Sequence, residues 1–185
     1  MTPTLTDQDL LVCFRNEDRK HEAFSLLVQK YQQPLYSIVR KMVIDHDDAN
    51  DVLQEALVKI WHKLHTFNGN SELFTWMYRV AVNEALRFLQ RKKRRSLFSS
   101  FNYQDELTEK VVTAPLISGN EVERKLQQAL LRLPEKQRLV FNMKYYEELP
   151  YEKISAITGT SVGGLKASYH HAVKKIENYI NHESG

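Results

Sequence analysis

The chain is poor in three residue types that would have set its class. One cysteine, Cys13, in 185 residues excludes an intrachain disulfide framework and any all-cysteine metal cage. Six glycines and five prolines exclude collagen-like and low-complexity chains. No window holds about 18 consecutive apolar residues, so no membrane span is expected. Residues 1–10 carry neither a basic segment nor an apolar stretch, so no signal peptide is expected and the cytoplasm is the expected compartment. What remains is a globular mixture, 42% hydrophobic and 26% charged, on a length that suits two small domains.

The formal net charge is +3, and its distribution is uneven: residues 1–95 hold 15 Lys/Arg against 12 Asp/Glu, whereas residues 96–185 hold 11 of each. The excess lies mainly in one run, Arg91-Lys92-Lys93-Arg94-Arg95. Upstream, Asp45, Asp47, Asp48, Asp51 and Glu55 form an acidic cluster. Separate acidic and basic clusters predict two kinds of partner.

Helical periodicity runs through nearly the whole chain. Leu53, Ala56, Leu57, Ile60, Trp61 and Leu64 form one apolar stripe of an α-helix, with Asp48 as the expected N-cap and Asp51 in the first turn. Asn68-Gly69-Asn70-Ser71 reads as a loop. Ser71 or Thr75 caps the next helix, expected from about Trp76 into the basic run. Leu10, Leu11 and Phe14 predict a short first helix; Ala23, Leu27, Tyr31, Leu35 and Ile38 predict a longer one with a kink at Pro34. Residues 5–95 thus read as a bundle of about four helices. From Ser96 to Ser118 the stripe fails, and four serines with Pro115 read as a flexible linker. Helical spacing resumes over 119–182: Val122, Leu126, Ala129, Leu130 and Leu133; then Leu139, Phe141, Met143 and Tyr146; then Tyr151–Ile157; and last a helix capped by Ser161 with Val162, Leu165, Tyr169, Ala172 and Ile176 inward. The expected fold is all-α, two small helical domains joined by that linker, with no strand required.

Three constellations carry chemistry. A short helix, a glycine turn at Thr158-Gly159-Thr160 and a longer helix have the helix-turn-helix layout, whose second helix enters the DNA major groove. Between Glu152 and Glu177 there is no carboxylate, while Lys166, His170, His171, Lys174 and Lys175 accumulate, as expected of a surface that meets phosphates. The plainer alternative is an αα-hairpin with a cationic C-terminus favoured by the helix dipole. Gly159 to Gly164 is not a P-loop, because Leu165 stands where that motif needs Lys. Gly163 and Gly164 cost roughly 1 kcal/mol each in a helix, and close backbone approach to DNA is one reason to keep them.

Second, Phe67, Phe74, Trp76, Tyr78 and Phe88 accompany Arg79, Arg87 and the basic run. Rings that stack bases beside cations that track phosphates hold single-stranded nucleic acid. Core packing is the better reading for Trp76 and Phe88; Phe67, beside the Gly-Asn loop, is the ring most expected to be exposed. Asn83 can read a base edge. Third, Asp47, Asp48, Asp51, Gln54 and Glu55 line the polar side of the Leu53 stripe, either as caps and solvated face or as a docking surface. His62 and His65 lack a third ligand in sequence, so no metal and no other cofactor is expected.

Together these segments resemble the extracytoplasmic-function (ECF) sigma factors, the short branch of the sigma-70 family. Asp47-Asp48-Ala49-Asn50-Asp51-Val52-Leu53-Gln54-Glu55 with Lys59-Ile60-Trp61, then Phe74 through Asn83, resemble the family's region 2. Leu133-Pro134-Glu135, Tyr151-Glu152-Lys153-Ile154 and Ser161 through Lys166 resemble its region 4. The resemblance implies that residues 5–95 are region 2, 96–118 the linker and 119–182 region 4. It implies that Asp51, Gln54 and Glu55 dock on core RNA polymerase. Phe67 and Asn83 would form a pocket for a flipped-out base of the −10 promoter element, with Arg79, Arg87 and Arg91 on the same DNA and Trp76 a core and strand-separation residue. Lys166, His170, His171 and Lys174 would meet the −35 element. It further implies an anti-sigma factor, often membrane-bound in this family, as a third partner. One departure stands out: the family usually places arginines on the recognition helix where this chain has Ser168, His171 and Val173, so its −35 preference does not transfer.

The expected activity is therefore non-enzymatic: promoter recognition by a sigma factor that binds duplex DNA with one end and melted DNA with the other. Unstacking a base costs only a few kcal/mol, which a pocket can recover without nucleotide hydrolysis. The 23 residues Ser96 to Ser118 can span about 75 Å at roughly 3.3 Å each, and twenty base pairs cover about 68 Å at roughly 3.4 Å each. The alternative is a free-standing helix-turn-helix repressor or activator that binds a palindrome as a dimer.

Overall fold

The computed structural model describes residues 5–97 and 121–182, and among these there is no β-strand. The first half holds α1 (Asp7–Phe14), α2 (Lys20–Val43), α3 (His46–Lys63), a 3₁₀ turn (Leu64–Thr66) and α4 (Leu73–Leu97). The second holds α5 (Glu121–Leu131), α6 (Glu135–Phe141), a π-helical turn (Asn142–Tyr146), α7 (Tyr151–Thr158) and α8 (Val162–His182). The expected linker lies outside the described residues, save for its first two, which continue α4.

The bundle forms where the stripes predict. Leu10 and Phe14 of α1, Leu27, Leu35 and Ile38 of α2, Val52, Ala56 and Ile60 of α3, and Met77, Ala81 and Ala85 of α4 are all buried. Thr6 and Asp9 form a reciprocal capping box on α1. α2 continues through Pro34. Two helix starts differ from expectation. The N-cap of α3 is Asp45, whose carboxylate accepts from the Asp47 and Asp48 amides, not Asp48. α4 begins at Leu73, so Thr75 lies inside it and bonds Glu72 at 3.5 Å instead of capping. In the second half, Val122 is 65% exposed, because α5 turns only its C-terminal end, Ala129 to Leu131, into the core.

The two halves pack on each other, which no local pattern announced. One hydrophobic cluster runs from α1–α4 into Leu139, Val140, Met143, Ile154, Ile157 and Leu165; a second belongs to the second half alone, around Leu130, Phe141 and Ile176. The C-terminal end of α2 is the centre of this contact. A helix leaves its last carbonyls without intrahelical partners, and here α2 stops abruptly at Ile44, with φ +72°. The Arg138 guanidinium donates to the Met42 carbonyl at 2.9 Å, and the Asn142 amide donates to the Lys41 carbonyl at 3.2 Å. Both polar side chains belong to buried residues, at 4% and 1% exposure. Around them Lys41 pairs with Glu147 at 2.5 Å, the Ser37 hydroxyl donates to Glu147 at 3.3 Å, and Lys153 pairs with Glu72 at 3.0 Å. Tyr78, also buried, has its phenol pushed up by burial and by the nearby Glu147 charge.

Candidate polymerase and promoter surfaces

Helical spacing on α3 brings Asp51, Gln54, Glu55 and Val58 to one exposed side while Val52, Ala56 and Ile60 face inward. With Lys59 and Arg91 they line a shallow groove of about 590 Å³. Val58 gives this polar groove an apolar centre, 55% exposed. α4 lies alongside and folds the basic run back onto the acidic cluster: Arg91 pairs with Glu55 at 3.1 Å and Lys92 with Asp48 at 3.0 Å. The acidic and basic clusters are thus partly each other's partners, a correction to their reading as separate patches. Arg91, expected on DNA, sits at the rim of the expected polymerase face.

On α4, Arg79, Asn83 and Arg87 are each four residues apart and all exposed, so they form one stripe on the side away from Met77, Ala81 and Ala85. Glu84 steadies this stripe. It is 2% exposed, bonds Lys59 of α3, and accepts from Arg87 at 2.6 Å. The pairing with Arg87 is local, but the sequence offered no sign that Glu84 is buried, because Lys59 lies on another helix. Arg79 turns its guanidinium to the Ala156 carbonyl of α7.

Phe67 is not exposed. It is buried at 8%, with its ring 5.7 Å from that of Trp76. The cause is the 3₁₀ turn before it, where residues three apart eclipse: Leu64 and Phe67 both face the core, leaving His65, Thr66 and Asn68 to solvent. Burial removes Phe67 from the set of rings available for base stacking in this arrangement. Trp76 and Phe88 are half-buried against the core, as their core reading expects.

The helix-turn-helix is formed by α7, Gly159 and α8. Gly159 has φ +71° and closes α7 by donating to the Ser155 carbonyl at 2.8 Å, the left-handed cap that glycine adopts without strain. Ser161 caps α8, its hydroxyl accepting the Gly164 amide at 3.2 Å. A side chain at Gly164 would crowd that cap, with Ser161 and Thr160 atoms 3.3 Å from a Cβ, whereas Gly163 borders open space. Leu165, Ala172 and Ile176 of α8 are buried, while Lys166, His170, His171 and Lys174 are exposed. Lys166, His170 and Lys174 share one stripe at four-residue spacing, and His171 flanks it, its ring 6.0 Å from that of His170. Of the three positions that usually hold arginine in the family, Ser168 and Val173 are half-buried and only His171 is exposed.

Among the described residues no group of three or more His, Cys, Asp or Glu could hold a metal ion, and no helix is long and apolar enough to cross a membrane.

Comparison with known proteins gives this arrangement its family. Residues 27–95 match the model of sigma-70 region 2, and residues 123–176 match that of sigma-70 region 4. The chain is 32% identical to the ECF RNA polymerase sigma-E factor of Escherichia coli K12, over 97% of both chains. It is also 32% identical to the RNA polymerase sigma-H factor of Pseudomonas aeruginosa, over 92% of both. Among solved structures it resembles the sigma factor RpoE of Bartonella quintana in complex with the anti-sigma factor NepR, with TM-score 0.68, 22% identity, and 85% and 96% of the two chains covered. CnrH in complex with the cytosolic domain of CnrY gives TM-score 0.66 and 20% identity, covering 95% and 97%. These two show the shared fold. Both sigma regions in family order, with such relatives over nearly the full length, disfavour a free-standing repressor; the chain belongs to the extracytoplasmic-function branch of the sigma-70 family, the promoter-recognising factors of RNA polymerase.

Proposed function

We propose that residues 5–95 act as one unit that binds core polymerase through Asp51, Gln54 and Glu55 and captures −10 DNA along Arg79, Asn83, Arg87 and Arg91. Residues 119–182 act as a second unit that reads −35 duplex through Lys166, His170, His171 and Lys174. The observation that carries this reading is the pair of exposed basic stripes, one on α4 and one on α8, each built on a helix whose other side is core. Phe67 supports the pocket from below through Trp76 instead of stacking a base. The chain performs no catalysis of its own, since capture of an unstacked base needs only binding energy. It works in the cytoplasm beside polymerase and chromosome. The complexes of NepR and CnrY with related folds support an anti-sigma partner for this chain.

The test is Asn83→Ala. Asn83 is exposed, so the change should alter stability by no more than about 0.5 kcal/mol and leave core binding intact. Open-complex formation should fall, and replacement of the flipped −10 base should hurt wild type more than the variant, because an amide pairs with a base edge. Permanganate footprinting on paired promoter variants reads this. Equal loss on every −10 variant would assign Asn83 to a phosphate or to the fold.

For the upstream surface, Lys166→Ala and His171→Ala should each weaken −35 binding and spare core association. Loss of a phosphate contact reduces the salt slope by about one, and loss of a base contact relaxes preference at one position. Unchanged −35 binding of both variants in a gel shift would place neither side chain on the DNA.

A further inference from the structure

Among the described residues Glu84 is the only acid that is buried, and it follows Asn83 directly on the helix that carries the −10 stripe. Its two carboxylate oxygens have separate cations. Oε2 accepts from the Lys59 ammonium of α3, and Oε1 accepts from Nη1 of Arg87, one turn further along α4, at 2.6 Å. Both cations keep their outer ends in solvent, the side chains of Lys59 and Arg87 being 39% and 62% exposed. Lys59 lines the groove that holds Asp51, Gln54 and Glu55, whereas Arg87 belongs to the stripe with Arg79 and Asn83.

A gain in stability is a poor reason for this acid. Taking a carboxylate out of water is costly, and a buried ion pair often contributes no more than an apolar side chain of the same size. A negative charge also works against a surface that meets phosphates. Geometry gives the acid a use. An arginine on an exposed helix face has many rotamers, and ordering it costs entropy. Glu84 holds Nη1 of Arg87 and leaves the Nε–Nη2 edge of the planar guanidinium without a protein partner among the described contacts. That edge is a pair of parallel donors, which a phosphate accepts in bidentate form. Lys59 holds the other carboxylate oxygen from α3, so the acid stays in place.

We propose that Glu84 is a positioning residue for −10 capture: a buried carboxylate, anchored by Lys59, that presents the Arg87 guanidinium to a phosphate of the −10 strand. The proposal rests on the assignment of the α4 stripe to −10 DNA.

The experiment compares holoenzymes assembled from core polymerase and the full chain as wild type, Glu84→Met, Glu84→Gln, Arg87→Ala, and each Glu84 variant combined with Arg87→Ala. The probe is a fork-junction DNA with the single-stranded −10 element of a promoter that the wild-type holoenzyme transcribes. Affinity is read per assembled holoenzyme, and thermal unfolding checks the fold. Arg87→Ala should weaken fork binding about threefold to tenfold, and Glu84→Met, which keeps the length but has no oxygen to accept from Arg87, should weaken it by a similar factor. Bulk electrostatics alone would make Glu84→Met bind more tightly, since a negative charge is lost. Glu84→Gln, which keeps the shape and one acceptor, should lose less. In the Arg87→Ala background neither change at Glu84 should weaken the fork further, because the side chain it acts through is gone. If Glu84→Met does not fold, Glu84→Gln completes the same comparison. Fork binding at or above the wild-type level in the Glu84 variants, with Arg87→Ala weakened, would overturn the positioning role and leave the stripe on DNA. An equal loss with and without Arg87 would overturn it as well and assign Glu84 to the fold. Unchanged binding by Arg87→Ala would overturn the assignment of Arg87 to DNA, and the proposal with it.

Discussion

Glu55→Lys is expected to remove the chain from core polymerase while leaving it folded. Glu55 is exposed on α3 beside Asp51, Gln54 and Val58, and its only described ion pair is with Arg91 at 3.1 Å, where the two side chains are 47% and 52% exposed. An exposed pair of this kind contributes about 0–1 kcal/mol, so its loss is a small part of the stability of a domain. At a docking surface the same reversal places like charges together, which costs several kcal/mol, and each 1.4 kcal/mol is about tenfold in affinity. A loss of roughly a hundredfold is therefore expected, with Asp51→Arg weaker and Gln54→Ala weakest, since the last removes only a hydrogen-bonding group. Co-purification with core enzyme measures the loss and thermal unfolding checks the fold. Retention of all three variants at the wild-type level would remove polymerase from this side of α3.

Phe67→Ala is expected to act on the fold before it acts on DNA. The ring is 8% exposed and packs on Trp76. Truncation of a buried phenylalanine costs about 3–5 kcal/mol through lost burial and the cavity left behind, a large share of the ~5–15 kcal/mol that holds a domain together. For a chain of this size the midpoint of unfolding should fall by roughly 10 °C. Core binding and open-complex formation should then decline together, because both surfaces rest on the same bundle. Phe67→Leu should recover most of the stability and most of the activity. A melting temperature left unchanged by Phe67→Ala, with open-complex formation alone lost, would return Phe67 to the base-stacking role.

These two residues illustrate what was legible beforehand. Glu55 could be placed from its spacing alone: three and four residues from neighbours on a helix, it had to share their side, opposite Leu53, Leu57 and Ile60. Phe67 could not, because a loop signal next to an aromatic ring does not say which way the ring turns; the eclipsed geometry of the preceding 3₁₀ turn decided it. The cap of α3 failed for a related reason. Asp45, Asp47 and Asp48 all offer a carboxylate within one turn, and the choice fell to Asp45 because α2 ends at Ile44 with φ +72° and starts the new helix at once.

By itself the sequence determined the all-helical class, the inward stripes of both halves, the glycine turn and serine cap of the helix-turn-helix, and the family. Each rests on residues a few positions apart, whose relation the helical repeat imposes wherever the chain goes. Only the tertiary structure decided that Arg91 and Lys92 lie on Glu55 and Asp48, that Glu84 is buried between Lys59 and Arg87, and that Arg138 and Asn142 close on the end of α2. Apart from Glu84 and Arg87, three residues apart on α4, those partners come from different helices, 25 to 101 residues apart, and their meeting depends on how helices dock, where burial of apolar surface and the need of each helix end for a hydrogen-bond partner act together.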